Sequence, residues 1–148
     1  MALRLSTGTR NGLAGTRGLK DMFNGGLLEI YSGGQPVSAD YAETGTKLVR
    51  ISLISGTSST SGLTFGTAGD GSIPKSSDVW SGVVLVAGVA GWFRLYGTGG
   101  TSGSSASERR IDGNVGVSGS DMEMSPTSLT LARTHTIDEF TLTVPISS

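Results

Sequence analysis

Apolar residues recur at every second position over several short stretches, the spacing of a half-buried β-strand. Val49, Ile51 and Leu53 share one face of such a stretch, while Arg50 falls on the other. Alternation of this kind, or a short β-branched or aromatic run, also marks residues 27–31, 63–65, 72–74, 78–88, 91–96, 109–117, 129–131 and 140–144. Turn residues separate these runs, and a series of short strands is typical of an all-β fold. The pattern predicts a single β-sandwich or barrel with jelly-roll or Greek-key like wiring.

The first 26 residues follow a different pattern. Three apolar residues have the i, i+3, i+4 spacing of a short helical face, namely Leu19, Met22 and Phe23. Frequent glycines argue against a long helix, because each costs about 1 kcal/mol in a helix interior. We therefore expect a short N-terminal helical arm over residues 1–26, with its helical turns within 13–23, and a β-domain over residues 27–148.

The predicted arm is basic. It carries Arg4, Arg10, Arg17 and Lys20 against a single acid, Asp21. A basic and loosely packed segment can hold a protein onto an acidic partner surface. These four residues, together with the apolar side chains of Leu19, Met22 and Phe23, are the predicted partner-binding residues. The alternative is a solvated helix that lies on its own domain.

Composition favours packing over chemistry. Charged residues make up only 16% of the 148 residues, the net charge is −1, and glycine alone contributes 24 residues. Charged residues make up about 25% of a typical soluble domain, so this neutral surface suits a subunit covered by its neighbours. A weakly charged secreted-type domain would have the same composition. The absence of cysteine excludes disulfides and thiolate chemistry. The longest apolar run is too short for a bilayer span, and the first residues lack the apolar core of a signal peptide.

Candidate catalytic groups are sparse. The single histidine, His135, has Asp138 three residues away as its nearest acidic partner, and the threonines around it are typical of a strand edge. Asp121 and Glu123 share a strand face, as a carboxylate pair or a cation ligand would require. Solvated loop acids have the same spacing. The glycine-rich stretches lack the lysine and hydroxyl of a phosphate loop. We predict no catalytic residue, no metal, no cofactor and no nucleic-acid partner.

Several longer motifs resemble small virion proteins of tailed bacteriophages and prophages. The similar segments cover most of the chain and include residues 1–13, Gly26-Leu27-Leu28-Glu29-Ile30-Tyr31-Ser32-Gly33, Gly62-Leu63-Thr64-Phe65-Gly66-Thr67-Ala68, Ala90-Gly91-Trp92-Phe93-Arg94-Leu95-Tyr96 and Arg110-Ile111-Asp112-Gly113. The resemblance implies a virion structural protein made in the cytoplasm of a bacterial host. It brings no catalytic or binding residue with it.

Three functions fit these observations. The first is a non-enzymatic capsid decoration, or cement, protein that forms a homo-oligomer and bridges subunits of the major capsid protein. The second is a neck or tail subunit, of the tail-tube or tail-completion kind. The third is a carbohydrate-binding tail module, which requires Trp80 or Trp92 to be exposed as a sugar platform.

Overall fold

The computed structural model describes residues 3–143. Within that range the chain forms eleven strands and two short helices, in the order β1 Arg4–Leu5, α1 Thr7–Ala14, α2 Leu19–Phe23, β2 Leu27–Ser32, β3 Lys47–Ile51, β4 Ser72–Pro74, β5 Trp80–Val83, β6 Gly88–Tyr96, β7 Arg110–Gly116, β8 Met122–Glu123, β9 Ser128–Leu129, β10 Thr134–Ile137 and β11 Thr141–Thr143. Strands take 36% of the residues and helices 9%, so the prediction of a β-rich fold is confirmed. The sheets do not close into a barrel, so the barrel alternative of the predicted architecture is wrong.

The largest sheet is centred on β6, the longest of the described strands. Its strands follow the order β1-β7-β6-β2-β3 with antiparallel neighbours, while β9 pairs with the start of β6. The short strand β8 pairs with β7 in parallel. Since β6 has a long partner on each side, its side chains occupy fixed positions on both faces of the sheet.

Alternation along β2 and β6 separates an apolar face from a charged face. Ile30 of β2 pairs in register with Phe93 of β6, and both side chains are enclosed in the hydrophobic core. Glu29 and Arg94, one residue along on the same strands, also pair in register. Because neighbouring residues of a strand point to opposite sides, Glu29 and Arg94 lie on the face away from the core.

Two small sheets contribute to the core on the apolar side. β4 pairs with β11, and β5 pairs with β10. Phe140, just before β11, meets Phe93 of β6 edge to face with ring centroids 5.4 Å apart. Its ring is also 5.7 Å from that of Trp80 in β5. These aromatic contacts join the main sheet to both small sheets.

The N-terminal segment is integrated into the domain. Leu5 of β1 pairs with Ile111 of β7, which makes β1 an edge strand of the main sheet. The Ser6 hydroxyl accepts a hydrogen bond from the Thr9 amide and so caps α1. The helical turns expected within residues 13–23 are present as α2, and a separate helix, α1, forms before them at Thr7–Ala14. Gly15 and Gly18 bound the break between the two helices, because glycine disfavours a continuous helix.

Helix α2 carries the three apolar residues predicted to bind a partner. Leu19, Met22 and Phe23 are only 8%, 1% and 0% exposed and belong to the hydrophobic core. In the isolated chain these side chains therefore face the protein's own interior, which differs from the sequence-based expectation. Their helical spacing places all three on one side of α2, and that side packs onto the domain.

Most predicted strands differ from the observed ones at their ends, and three observed strands, β1, β8 and β10, have no counterpart in the prediction. The run at residues 78–88 is interrupted, since β5 ends at Val83 and β6 begins at Gly88. Residues 63–65 contribute only an isolated bridge, between Phe65 and Lys75. The last predicted strand is present as β11, and Val144 lies outside the described residues.

Gly82 provides a test of how β5 meets the main sheet. Ser81 and Ser52 exchange backbone hydrogen bonds of 2.9 and 3.0 Å where β5 passes the end of β3. A Cβ at Gly82 would lie 1.9 Å from the Arg50 carbonyl oxygen. Gly82→Ala should therefore lower the free energy of unfolding, measured in urea, by about 1–3 kcal/mol or more.

The control for this prediction is Gly34→Ala. A Cβ at Gly34 meets nothing within 4 Å, and its φ lies outside the left-handed region. Its unfolding free energy should change by no more than about 0.5–1 kcal/mol. Equal effects of the two substitutions would contradict the close approach of β5 to β3.

Candidate functional site

A row of charged residues crosses the main sheet on the face away from the core. The strand register aligns Arg50, Glu29, Arg94, Asp112 and Arg4 across β3, β2, β6, β7 and β1. Their charges alternate in sign at every step. Opposite charges on neighbouring strands attract, so this charge row favours one register of all five strands.

The centre of the charge row is a fully enclosed ion pair. Arg94 donates from Nε to Oδ1 of Asp112 at 2.7 Å and from Nη2 to Oδ2 at 2.8 Å. Both side chains are 0% exposed. Arg94 Nη1 lies 3.2 Å from Oε2 of Glu43, which reaches the row from the loop between β2 and β3. A bidentate pair of this kind fixes both the distance and the orientation of its two strands.

Glu29 forms the second node of the charge row. Its Oε2 accepts hydrogen bonds from Arg50 Nε at 2.9 Å and from Lys47 Nζ at 3.3 Å. Its Oε1 accepts from the Tyr31 hydroxyl at 2.8 Å. The Glu29 side chain is 6% exposed, whereas those of Lys47 and Arg50 are 37% and 23% exposed. The buried carboxylate thus holds two cations at the border between the row and solvent.

Two long loops cover the row and are bonded to it. Glu43, in the loop after β2, accepts hydrogen bonds from the Tyr96 hydroxyl and from the Gly103 amide in the loop after β6. Arg110 donates from Nη2 to the Thr101 carbonyl at 2.6 Å and from Nη1 to the Ala39 carbonyl at 3.4 Å. The loops therefore have specific partners on the sheet, in spite of their glycine- and serine-rich sequences.

Aromatic side chains fill the space beside the ion pairs. Tyr31 and Trp92 stack with ring centroids 4.6 Å apart, and the guanidinium of Arg94 lies 5.5 Å from the Trp92 ring centroid. The Tyr31 and Tyr96 hydroxyls are 3.1 Å apart. Burial, and then the neighbouring Glu29, raises the pKa of Tyr31 above its ordinary value. Burial also raises the pKa of Tyr96, reinforced by Tyr31 and Glu29.

The pKa values of Asp40 and Glu43, the acids that hold the loops, shift in the opposite direction to the pKa of Asp112 in the centre of the charge row. Burial raises the pKa of Asp40, but two hydrogen bonds from Thr7 outweigh it, and the pKa lies below its usual value. The pKa of Glu43 is likewise lowered, because hydrogen bonds from Tyr96 and Gly103 outweigh burial. For Asp112, burial outweighs the hydrogen bonds from Arg94, and the pKa is raised.

A pocket of about 450 Å³ opens at the Glu29 end of the charge row. Glu29, Lys47 and Arg50 line it on the sheet side, together with Tyr96. Its other walls are the glycine-rich segments 25–27 and 97–102 and the side chain of Thr60. We call it the polar pocket, because charged side chains line it on the sheet side.

The four basic residues of the predicted arm have different surroundings. Arg4 donates to the Pro36 carbonyl at 2.6 Å and is half-buried. Arg10 bonds to the Thr7 hydroxyl, while Arg17 pairs with Asp21. Lys20 donates to the Gly66 carbonyl at 2.9 Å. Arg10, Arg17 and Lys20 are exposed and remain candidates for contact with a partner.

The other candidate residues lie in β10 and around the turn after β7. His135 is 9% exposed, and its Nε2 has no hydrogen-bond partner within residues 3–143. Burial lowers the pKa of His135, although the nearby Asp138 raises it. Asp121 accepts a hydrogen bond from the Asn114 amide, and Glu123 accepts one from the Gly119 amide. Both acids therefore help to shape the turn after β7.

Neither a metal-binding cluster nor a membrane-spanning helix is found in the described part of the chain. Residues 3–143 contain no group of three histidine, aspartate or glutamate side chains that could hold a metal ion. Neither helix in that range is long and apolar enough to cross a bilayer. Comparison with protein-family models, curated proteins and solved structures found no match.

Sequence reasoning missed the charge row because its members are far apart along the chain. Glu29 and Asp112 each stand within a predicted strand as an isolated acid, and Arg94 stands among aromatic residues. An ionisable residue in the middle of an otherwise apolar or aromatic strand is a usable signal, since it must find a partner if it is buried. The partner itself depends on strand order.

Asp112→Asn tests the strength of the central ion pair. The change removes one charge and leaves Arg94 enclosed with only Glu43 as counter-ion. Breaking a buried pair on one side costs about 3–5 kcal/mol, so the urea midpoint should fall strongly. Asp138→Asn, at an exposed acid, should alter the unfolding free energy by about 0.5 kcal/mol or less. A loss below about 1 kcal/mol for Asp112→Asn would contradict a tightly held pair.

The two buried tyrosines predict loss of stability at alkaline pH. Their raised pKa values mean that the folded state keeps both phenols protonated above pH 10.0, where unfolded tyrosines ionise. Stability is therefore fully present below pH 10.0 and falls as the pH rises further. Tyr41→Phe removes the exposed tyrosine, so that phenolate absorbance then reports only Tyr31 and Tyr96. That absorbance should rise together with the loss of near-ultraviolet circular dichroism, and an earlier rise would contradict the burial.

Proposed function

We propose that the protein is a non-enzymatic structural component of a tailed-phage virion, and specifically a capsid decoration protein. The observation that carries this proposal is where the charges lie. Glu29, Arg94, Arg110 and Asp112 are buried in a chain whose residues are only 16% charged. The four buried charges cancel one another, so the exterior keeps the low net charge of −1. Such a surface suits contact with other subunits better than isolation in water.

The fold class within this proposal is a sandwich. The main sheet forms one layer, and the sheets β4–β11 and β5–β10 form the other. The shared core supports this description, because it includes Ile30 and Phe93 from the main sheet and Trp80, Ile137 and Leu142 from the small sheets. Jelly-roll or Greek-key like wiring belongs to the same proposal.

Apolar side chains on the surface supply candidate contact points. Val86 and Val89 lie close to Gly88 in the chain, and Gly88 pairs with Leu129 of β9. Leu131 lies two residues after Leu129. Val86, Val89 and Leu131 are 43%, 60% and 59% exposed. A decoration protein needs only modest contacts of this kind. Repetition over a lattice supplies avidity even where each interface is no larger than a standard one of about 1,600 Å².

The virion assignment rests on the motif resemblance. The choice of partner rests on the repeated capsid lattice and on the exposed basic residues of this chain. The proposed partner is the major capsid protein, with homo-oligomers of this chain bridging its subunits. Arg10, Arg17 and Lys20 are exposed on the N-terminal helices and would contact acidic capsid residues. This arrangement requires no enzyme activity, cofactor, nucleic acid or membrane.

Two alternatives to a capsid decoration protein rest on the same resemblance to phage virion proteins. A neck or tail subunit would use the same neutral surface in a ring with few copies. A carbohydrate-binding tail module would need an exposed aromatic platform. Trp80 and Trp92 are both 0% exposed, and their indole nitrogens donate to the carbonyls of Thr64 and Thr44. This burial counts against the carbohydrate-binding alternative.

The proposal predicts a high copy number in purified particles. Quantitative mass spectrometry should find this chain in a fixed ratio to the major capsid protein, with copies spread over the whole lattice. A few copies per particle would favour the neck or tail instead. Absence from particles would overturn the virion assignment.

The same particles test the exposed basic residues. Deleting residues 2–23 is unsuitable, because it removes core residues of α2. The combined substitutions Arg10→Gln, Arg17→Gln and Lys20→Gln leave the core intact and should reduce incorporation severalfold. The matched control, Arg10→Lys with Arg17→Lys and Lys20→Arg, keeps each charge and should be incorporated normally.

A further inference from the structure

Two cationic side chains and one carboxylate lie on the sheet side of the polar pocket. Lys47 and Arg50 both donate to Oε2 of Glu29, and all three side chains line the pocket. Glu29 is nearly enclosed, and its oxygens already accept from Tyr31, Lys47 and Arg50. The sheet side of the pocket therefore has one excess positive charge.

Arg50 is held in an orientation that leaves part of its guanidinium available. Its Nε is bonded to Glu29, whereas Nη1 and Nη2 have no partner within residues 3–143. The side chain is 23% exposed and faces the pocket. A guanidinium has a second fork, formed by its two Nη groups, that matches the two oxygens of a carboxylate. The bond to Glu29 thus prepares Arg50 for a further anionic group.

Glycine keeps the opposite wall of the pocket open. Gly25, Gly26, Gly97, Gly99 and Gly100 all line it and carry no side chain that would fill the space. At Gly26 a Cβ would lie 2.0 Å from the Tyr96 carbonyl oxygen, so a larger residue would not fit there. Thr60, Thr101 and Ser102 also line the pocket. The result is a polar space of about 450 Å³, which is large enough for a small ligand or a side chain.

The hydrogen bonds of the glycine-rich wall favour a carboxylate over a phosphate. Phosphate sites usually offer a group of unpaired backbone amides. Here most of the amides are already bonded, since those of Gly97, Gly100 and Thr101 donate to Arg109 O, Gly97 O and Glu108 Oε1. The amides of Gly25 and Gly26 are bonded to Leu63 O and Phe23 O. One excess positive charge and one free guanidinium fork suit a singly charged planar anion.

We propose that the polar pocket is a binding site for a carboxylate group, held by the Nη fork of Arg50 and by Lys47. The carboxylate belongs either to a small molecule in solution or to an acidic side chain of a neighbouring subunit. The chemistry of recognition is the same in both cases. Only the second source rests on the proposed virion function.

Titration of the full-length protein tests the carboxylate site directly. Propionate, added at constant ionic strength, should cause saturable nuclear magnetic resonance shifts of the Arg50 Nε signal and of the amides of residues 97–102. Propionamide has the same shape without the charge and should cause no saturable shift. Inorganic phosphate should bind more weakly than propionate. No saturation with propionate, or tighter binding of phosphate, would overturn the proposal.

Arg50→Lys is the decisive variant because it keeps the charge and a donor for Glu29 but removes the guanidinium fork. Propionate should bind about tenfold more weakly, as expected for the loss of one charge-assisted hydrogen bond. Arg133→Lys, at an exposed arginine outside the pocket, should bind propionate like the wild type. Unchanged affinity in Arg50→Lys would overturn the role of Arg50. If Arg50→Lys does not fold, Lys47→Gln should weaken binding in the same assay.

Particle incorporation distinguishes the two sources. If an acidic side chain of another subunit occupies the pocket, Arg50→Lys should be incorporated less well than Arg133→Lys. Equal incorporation would assign the pocket to a small carboxylate. The titration needs no particle, so its failure is separate from any failure of the virion assignment.

Discussion

The ion pair between Arg94 and Asp112 is the constraint on which the charged face of the sheet depends. Two charged groups without contact to water require good hydrogen-bond geometry, because the free-energy cost of their desolvation otherwise exceeds their electrostatic attraction. The bidentate contact and the third partner, Glu43, supply that geometry. Glu43 also holds the two long loops together through Tyr96 and Gly103. A single buried node thereby links the register of two strands, β6 and β7, to the position of two loops.

Packing on the opposite face of the main sheet depends on the shape of side chains rather than on their charge. Phe140 contacts both Phe93 and Trp80, so the small sheets and the main sheet share one aromatic cluster. Close backbone approach at Gly82 brings β5 onto β3. Aromatic contact and close approach act together, since a side chain at Gly82 would push apart the sheets that the aromatic rings join. Large side chains and glycines are thus both needed for the same packing.

The two faces together explain the proposed function. Four charged residues are buried in the fold, where the charge row favours one register, and the exterior has a net charge near zero with exposed valine and leucine residues such as Val89 and Leu131. That division suits a protein whose partners are other subunits. The polar pocket departs from the division, because Lys47 and Arg50 keep an excess positive charge at the edge of the row. It is the place on the described surface where recognition of one specific chemical group is most readily explained.

The sequence by itself determined the β-rich class, the positions of most strands and the helical spacing of Leu19, Met22 and Phe23. These features depend on local periodicity, which each segment carries in its own residues. The direction in which α2 faces was decided by tertiary structure, because the same spacing fits a partner's surface and the chain's own core. The alignment of Glu29, Arg94 and Asp112 was decided in the same way, across separations of 65 and 18 residues. Strand order and register bring such residues together, and no local pattern contains that information.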